Sequence, residues 1–585
     1  MSAYRLIRLF VTLLACVASA QAQAVSVDVV DGTLPSGFSS ELTRSIGDAP
    51  APTSRLEARQ RARRAAKLAT DLLNSYGYFD PAIETGVTDG QPYRAMVRID
   101  PGQQFTISSL HFKFRGAPPA DRDVASVKDG QTIQVGAPSI PEQLIVEQKR
   151  LERAYRDLGY ADIDVSQPDL LADRESGTVD VTFQVKTGYP VTLGIIRLEG
   201  ATRTRDTFVD RLRPFDTGDL YTPAALARLS QRLSSTRHFD DVTVDLGARD
   251  PGAPDAPRDV VVQVEERPRN TLALGASVAT DQGVGGLIEW TRWNLTGRAD
   301  PLRLAIEASQ IEQSGTLSWQ LPHFPRPDRE VTLQAAVFNE DTDAFNRSGA
   351  RIAGNYERAS TRHLVLTAGG EFEIVQERGE AEDRFLQTLT LSTSAQIDRS
   401  DDLLDPRQGW RASLSLQPGF GFGDDTSQFF RTSAQTSAYV PLGRSKRWVL
   451  ANRIELGSIV GAPLLDLPVE RRFFAGGGAS VRGFGFQEVG PRDEAGNPTG
   501  GRSLFEASSE LRWQATRLFG AAAFFDAGSV EESTIPEFED IRLGAGLGLR
   551  VSTPAGPIRL DVAFPLDQTE FDRDVQVYFS IGQAF

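Results

Sequence analysis

The chain has 585 residues, too many for one ordinary domain. Its formal net charge of -15 at pH 7 argues against a nucleic-acid partner. With a single cysteine, Cys16, and four scattered histidines, we expect no disulfide and no metal or other cofactor, and most classes of enzyme are disfavoured. Carboxylate-based catalysis stays open on composition alone.

The N-terminal segment has the pattern of an export signal. Arg5 and Arg8 precede an apolar run, residues 9–17, and small residues suited to cleavage follow it. Residues 1–22 are therefore predicted to be a secretory signal peptide, with a lipoprotein processing site at Cys16 as the alternative. Beyond this segment no run approaches the roughly 18 apolar residues of a membrane helix, so a membrane span would have to be a closed β-barrel.

The first half of the chain repeats itself. Residues 73–80, 155–162 and 233–240 resemble one another, and their final aspartates are separated by 162 − 80 = 82 and 240 − 162 = 78 positions. A helical pattern precedes each segment and strand patterns surround it, which predicts a β-α-α-β-β unit of about 80 residues. The predicted repeats span residues 25–102, 103–188 and 189–268.

Each predicted unit is a small open sheet with helices on one face, so at least one strand edge is unpaired. Such an edge can accept an extended client as an added strand. A set of rigid spacers without client contact is the other interpretation. The two remain equally open on the sequence.

The second half has the pattern of membrane strands. All six tryptophans follow residue 289, as expected for aromatic girdles at membrane interfaces. Residues 541–551 alternate aliphatic side chains with glycine and arginine, which indicates a lipid-facing and a lumen-facing side rather than a nucleotide loop. A barrel over residues 269–585 has 585 − 269 + 1 = 317 residues, about 20 for each of sixteen strands. Fourteen or eighteen strands also fit this arithmetic.

An arginine stands out within this region. Arg482 lies between Val481 and Gly483, and Phe484 follows. A guanidinium keeps its proton and is expensive to bury, so it needs carboxylate partners. Glu510 and Asp526 are the candidates that follow in the chain.

Five motifs carry a resemblance to a known family. They are residues 293–298 (WNLTGR), 405–410 (DPRQGW), 473–477 (FFAGG) leading to 481–484 (VRGF), 525–528 (FDAG) and 552–559 (STPAGPIR). In this order they resemble the BamA/TamA superfamily of outer-membrane assembly factors. The resemblance implies three α+β POTRA domains of βααββ order, followed by an all-β, sixteen-stranded antiparallel transmembrane barrel.

The resemblance also implies a mechanism. A sixth loop would fold back into the lumen and lock Arg482, with Val481, Gly483 and Phe484, onto Glu510 and Asp526. The barrel would close between a first strand, about Asn270–Ala279, and a last strand, about Asp574–Phe585. We expect this short seam to open laterally, because Gly582 interrupts the packing of the last strand. Its lipid-facing residues would be Val575, Val577, Phe579, Ile581 and Phe585, and Phe585 also resembles a C-terminal assembly signal.

Three repeats are typical of the TamA-like branch of that superfamily. The implied function is insertion or translocation of outer-membrane proteins such as autotransporters, without enzymatic activity. The implied partners are a TamB-like inner-membrane-anchored protein, unfolded outer-membrane protein clients and outer-membrane lipid. The implied location is the outer membrane of a Gram-negative bacterium, with the repeats in the periplasm. A two-partner-secretion-type pore and a TamB-linked phospholipid transport component are the alternatives.

Overall fold

A computed structural model of the chain describes residues 25–30, 34–47, 50–250, 252, 253, 255–279, 283–361, 363–378, 383–423, 426–443, 445–553, 556–569, 572–581, 583 and 585. The predicted signal peptide, residues 1–22, and Gly582 lie outside the described residues, as does the side chain of Ile581. Among the described helices none is both long and apolar enough to cross a membrane.

The described residues form two compact units. The first holds the residues up to Ile195 with Phe215–Ala227 and Leu246–Val260, and the second holds Ile196–Pro214, Arg228–Asp245 and Val261–Phe585. The helices are α1 (Phe38–Ile46), α2 (Arg55–Ser75), α3 (Asp121–Asp129), α4 (Pro141–Asp157), α5 (Asp206–Leu212) and α6 (Pro223–Ser235). The strands before the barrel are β1 (Val25–Val29), β2 (Ala82–Val87), β3 (Ala95–Asp100), β4 (Thr106–Phe114), β5 (Asp164–Val165), β6 (Asp169–Asp173), β7 (Thr178–Lys186), β8 (Leu193–Glu199), β9 (Phe239–Leu246) and β10 (Arg258–Glu266).

The first repeat packs α1 and α2 on a three-stranded sheet. Ser54 caps α2 by accepting a hydrogen bond from the backbone N–H of Glu57. The buried residues of α2 are alanines and one leucine at helical spacing, which lets the helix approach the sheet closely. In the sheet, β1 runs parallel to the central β3 and β2 runs antiparallel to it. The outer strands β1 and β2 therefore each present one edge.

The third repeat follows the element order of the first, and the second repeat adds the two-residue strand β5 after its helices. In the second, β4 runs parallel to β7, while β5 and β6 pair with β7 antiparallel. Apolar and polar side chains alternate along β7, so the apolar ones share one face of the strand, and that face is buried. The buried residues are Val179, Val181, Phe183 and Val185. The third sheet has the order β8-β10-β9. The helix order in each repeat agrees with the predicted β-α-α-β-β unit.

The barrel is one antiparallel sheet of sixteen strands in chain order. Its strands are β11 (Asn270–Ala279), β12 (Gly283–Arg292), β13 (Leu302–Ala308), β14 (Glu312–Pro322), β15 (Arg329–Asp341), β16 (Asn346–Thr361), β17 (Leu364–Arg378), β18 (Arg384–Asp398), β19 (Gly409–Gly423), β20 (Ser427–Leu442), β21 (Trp448–Val460), β22 (Ser503–Gln514), β23 (Phe519–Glu531), β24 (Arg542–Val551), β25 (Ile558–Pro565) and β26 (Gln576–Ile581). On β24, Leu547 and Leu549 are 68% and 60% exposed on the outside, while Arg550 is buried. The strands thus alternate lipid-facing and lumen-facing residues as predicted.

The last strand is shorter than predicted. We expected it over Asp574–Phe585 with Phe585 facing lipid, but β26 ends at Ile581. Phe585 packs instead against the buried residues Tyr439, Val449 and Ala451. The prediction was wrong because it extended one regular strand to the last residue. Alternation of apolar residues indicates the face of a side chain only where the strand continues. Val575, Val577 and Phe579 do face outward.

Candidate functional site in the barrel lumen

The connection between β21 and β22, residues 461–502, joins the two strands of the sixth strand pair of the barrel, so it is the predicted sixth loop, and it turns into the lumen. Phe473 and Gly501 exchange two backbone hydrogen bonds, of 2.8 and 2.9 Å, which hold the two arms of the loop together. The tip residues Val481 and Phe484 are buried in an apolar cluster with residues of the wall. This apolar packing places the intervening Arg482 inside the barrel.

Arg482 is only 1% exposed and is held by carboxylates. Its Nε and Nη2 donate to the two oxygens of Asp526 at 2.7 and 3.0 Å, in a bidentate pair. Its Nη1 donates to Glu510 at 2.7 Å, and the backbone N–H of Arg482 donates to Asp526 at 3.1 Å. The guanidinium also lies 3.5 Å from the ring centroid of Phe524. The two carboxylates proposed from the sequence are thus both in contact with Arg482.

A third carboxylate was missed by the sequence reasoning. Asp561 on β25 accepts a hydrogen bond from Arg482 Nη1 at 3.2 Å. A signal was available, because Arg559 and Asp561 share the lumen-facing parity of β25 while Leu560 faces outward. Asp561 lies 79 positions after Arg482, so proximity to the loop motif in the chain does not indicate it.

Three further arginines complete this site. Arg512 and Arg550 lie 2.9 and 3.2 Å from Glu510 Oε1, and Arg550 and Arg559 both contact Asp561. We call the seven charged residues the arginine cluster (Arg482, Glu510, Arg512, Asp526, Arg550, Arg559 and Asp561). All are nearly inaccessible to solvent, so removing one partner would leave buried charge uncompensated.

The loop tip is also fitted to the wall beyond its charges. Gly483 donates its backbone N–H to Tyr578 Oη at 3.0 Å, and that hydroxyl donates to the carbonyl of Phe484 at 2.7 Å. Gly483 has φ of +113°, a conformation that favours glycine. A Cβ on Gly544 would overlap the carbonyl oxygen of Arg482. The tip therefore touches β24 and the last strand, β26, through backbone and glycine contacts.

The predicted seam lies at the two ends of the sheet. Among the described residues β11 and β26 stand at opposite ends of the hydrogen-bonded strand order, although their Cα atoms approach within 8 Å. Phe579 of β26 is 41% exposed on the outer face. The side chain of the predicted seam residue Ile581 and the whole of Gly582 lie outside the described residues.

A second polar site links the third repeat to the barrel within the second compact unit. The Glu266 carboxylate accepts hydrogen bonds of 2.7–3.2 Å from the backbone and hydroxyl groups of Thr202 and Thr204. Arg203 donates to it from its backbone N–H and from Nε. Burial by itself would raise the pKa of Glu266, but these hydrogen bonds outweigh it and hold the pKa well below its usual range.

This junction reaches the connection between the barrel strands β12 and β13. Asn294 Nδ2 donates to Thr204 Oγ1 at 3.1 Å, and the backbone N–H of Arg205 donates to the carbonyl of Gly297 at 3.0 Å. The motif at residues 293–298, which carried part of the family resemblance, therefore docks the third repeat onto the barrel. The sequence showed the motif but not this contact.

A buried histidine adjoins the junction. His238 Nε2 lies 3.7 Å from Glu266 Oε1. Burial lowers the pKa of His238, and the attraction of Glu266 opposes that shift without cancelling it. His238 is therefore neutral near pH 7.

Comparisons with protein families match both halves of the chain. A model described as the Omp85 superfamily domain matches residues 294–585. The POTRA model, described as a surface antigen variable number repeat, matches residues 123–188 and 191–267. The matched regions correspond to the barrel and to the second and third repeats.

Two similar curated proteins are outer membrane protein assembly factors BamA. The protein of Nitratidesulfovibrio vulgaris is 28% identical over 471 residues, which cover 75% of this chain and 57% of that protein. The protein of Neorickettsia risticii is 24% identical over 565 residues, which cover 91% of this chain and 73% of that protein. The chain thus spans little more than half the length of the first of these relatives.

A solved structure shares the fold. The crystal structure of BamA from Haemophilus ducreyi lacking POTRA domains 1–3 superposes with a TM-score of 0.70 at 18% identity. The match covers 82% of this chain and 99% of that one. Together with the sixteen-stranded sheet, these matches confirm the predicted fold class of POTRA-type repeats followed by an antiparallel barrel.

Proposed function

Because the chain belongs to the Omp85 superfamily and is an outer-membrane β-barrel with periplasmic POTRA repeats, we propose that it assembles outer-membrane proteins. In this proposal an unfolded client adds its strands at a lateral seam between β11 and β26. No chemical step is required, since pairing of backbone groups lowers the barrier to insertion. The arginine cluster has a structural role in this proposal and is not an active site.

One observation carries the proposal, namely the weakness of the barrel wall at the seam. Strands β25 and β26 have 8 and 6 residues, whereas β16 to β20 have 15 or 16. Among the described residues, the two end strands β11 and β26 are not hydrogen-bonded neighbours in the sheet. In the described part of the chain few ladder hydrogen bonds join the wall there, and in this proposal the barrel opens at this position.

The finer proposal is a TamA-like subunit that serves clients such as autotransporters. Three helix-and-sheet repeats before the barrel support it, since the resemblance assigns that number to the TamA-like branch. A TamB-like inner-membrane-anchored partner would add to an open edge of the first repeat, at β1 or β2. Co-purification of such a partner with the full chain, and its loss when residues 25–102 are deleted, tests this part.

The seam is tested by tethering it. In a chain with Cys16 replaced by alanine, Leu274→Cys on β11 and Val577→Cys on β26 place two thiols on the outer face. A bifunctional maleimide then joins the end strands before client addition to proteoliposomes. We expect client insertion to stop, because client strands cannot enter a tethered seam.

The matched control tethers two strands that are already paired. Leu304 and Leu317 face each other on β13 and β14, and both are exposed outside. Joining Leu304→Cys to Leu317→Cys should leave insertion unchanged. Insertion at the normal rate through the tethered seam would show that lateral opening is unnecessary.

A pore function predicts a different measurement. The loop tip and the arginine cluster occupy part of the lumen, so we expect no large steady conductance from the purified protein in planar bilayers. A large, constant open channel would favour the secretion pore over the assembly factor.

A further inference from the structure

The described C-terminal residues lie inside the lumen, away from the wall that β26 forms. The ring of Phe585 packs on Tyr439, Val449 and Ala451, which are buried side chains of β20 and β21. Gln583 Nε2 donates to Asp405 Oδ1 at 2.7 Å. Gln583 and Phe585, which follow the seam strand, therefore contact β20, β21 and the connection before β19.

One side chain contacts both this segment and the loop site. Arg512 Nη2 donates to the main-chain oxygen of Phe585 at 3.2 Å, and its guanidinium lies 5.3 Å from the Phe585 ring centroid. Arg512 Nε donates to Glu510 Oε1 at 2.9 Å. Arg512 is 7% exposed, so water does not compete for these contacts.

The carboxylate of Glu510 is held by three guanidinium groups. Its Oε2 accepts from Arg482 of the loop tip, and its Oε1 accepts from Arg512 and Arg550. The orientation of the carboxylate therefore depends on donors at both of its oxygens. If the loop tip withdraws, Glu510 loses the donor to Oε2 and can turn toward Arg550, and Arg512 then loses the acceptor that directs its Nη2 toward Phe585.

We propose that Arg512 is a positioning residue that couples the loop tip to the C-terminal segment of the seam strand. While Arg482 is bound to Glu510, Arg512 holds Phe585 in the lumen. Loss of the Arg482 contact releases Phe585 and frees the chain beyond β26 at the seam. The use of this release by clients rests on the proposed function, whereas the coupling itself is a property of the folded barrel.

The test measures access to the C-terminal segment rather than client assembly. A Gln583→Cys reporter in a chain with Cys16→Ala is labelled by a membrane-impermeant maleimide in proteoliposomes. We expect Arg512→Gln to speed labelling about tenfold or more, the factor expected when a charge-assisted hydrogen bond is lost. Arg482→Ala and Glu510→Ala should each give a similar increase, and Arg512→Gln combined with Glu510→Ala should add little to either.

Arg550 provides the matched control. It also contacts Glu510 Oε1, but among the described residues its other polar contacts are with Asp561 and its neighbour Leu549, and none is with Gln583 or Phe585. In Arg550→Gln, labelling of the reporter thiol should therefore be at least about fivefold slower than in Arg512→Gln. Arg512→Lys, which keeps the charge but cannot fork between two acceptors, should give an intermediate rate and covers the case in which the glutamine variant does not fold.

Two results overturn the coupling. Unchanged labelling in folded Arg512→Gln or Arg512→Lys would show that Arg512 does not hold Phe585. Faster labelling in Arg512→Gln but not in Glu510→Ala or Arg482→Ala would show that Phe585 is held independently of the loop. Because no client enters this assay, failure of the assembly function would leave its result unchanged.

Discussion

Arg482 shows how a side chain of high desolvation cost can define a buried site. Its guanidinium is surrounded by three carboxylates, from Glu510, Asp526 and Asp561. The three carboxylates lie on different strands of the wall, β22, β23 and β25, so together they fix the orientation of the loop tip. Such a pair gives specificity of position more surely than net stability.

Replacement of Arg482 by alanine should release the loop tip while strand content stays nearly intact. The buried carboxylates would lose their shared cation, at a cost of about 3–5 kcal/mol in the free energy of unfolding. We also expect client insertion to fall strongly. Circular dichroism, thermal unfolding and insertion into proteoliposomes measure the three effects.

Two variants sharpen this prediction. Arg482→Lys keeps the charge but cannot bind Asp526 with two parallel hydrogen bonds, so it should lose less stability and less client insertion than Arg482→Ala. Arg517→Ala, at an exposed turn after β22, should change neither the free energy of unfolding nor client insertion. Normal client insertion by Arg482→Ala would show that the contact has no role in assembly.

At the scale of elements, the sixth loop is positioned by the shape of the wall as well as by charge. The tip approaches β24 so closely that Gly544 has no room for a side chain, and Tyr578 of β26 bonds to both sides of the tip. The position of the loop therefore depends on the positions of the last three strands. A disturbance of these strands should loosen it even with the arginine cluster unchanged.

Gly544→Ala tests this dependence. Its new methyl group would overlap the Arg482 carbonyl, and overpacking of this kind costs about 1–3 kcal/mol. We expect faster proteolysis within residues 461–502 and reduced client insertion. Gly315→Ala on β14 is the control, because its Cβ would meet only Val337 Cγ2 at 3.6 Å, an ordinary contact. Equal protease resistance of the two variants would contradict the close fit.

At the scale of the whole molecule, polar contacts join the third repeat to the barrel. Glu266 accepts hydrogen bonds from three consecutive residues of the repeat, and Thr204 of that segment is bonded to Asn294 of the barrel. His238 lies buried beside Glu266. The pKa values of Glu266 and of His238 are both lowered, so the stability of this junction depends on pH.

Both groups make the junction less stable in acid. The pKa of His238 is lowered in the folded protein, so below pH about 6.5 the unfolded state takes up a proton that the folded state does not. The free energy of unfolding should then fall by at most about 1.4 kcal/mol per pH unit. The Glu266 contribution is present above pH about 4.5 and is lost as the pH falls further toward its lowered pKa.

Pulse proteolysis of the full chain in micelles, in urea at pH 7.5 and pH 5.5, measures this dependence. We expect the urea midpoint of the third repeat to be lower at pH 5.5. His238→Gln should reduce the difference between the two values, because its side chain takes up no proton. A difference as large in His238→Gln as in the unsubstituted chain would assign the pH dependence to other groups.

The sequence by itself determined what is local or periodic. The repeated segments ending at Asp80, Asp162 and Asp240 predicted the β-α-α-β-β order, and the period-2 alternation predicted the barrel strands with their lipid and lumen faces. The need of a buried guanidinium for carboxylates directed attention to Glu510 and Asp526, both of which contact Arg482. These inferences follow from the chain's own covalent order.

Only the tertiary structure decided which distant residues meet. Asp561 lies 79 positions after Arg482 and Phe585 lies 73 after Arg512, and neither distance has a period or motif. Their contacts depend on the number of strands, on the inward path of the sixth loop and on the departure of the C-terminal segment from the wall. Phe585 was misplaced for that reason, because alternation along a strand says which face a residue takes only while the strand continues.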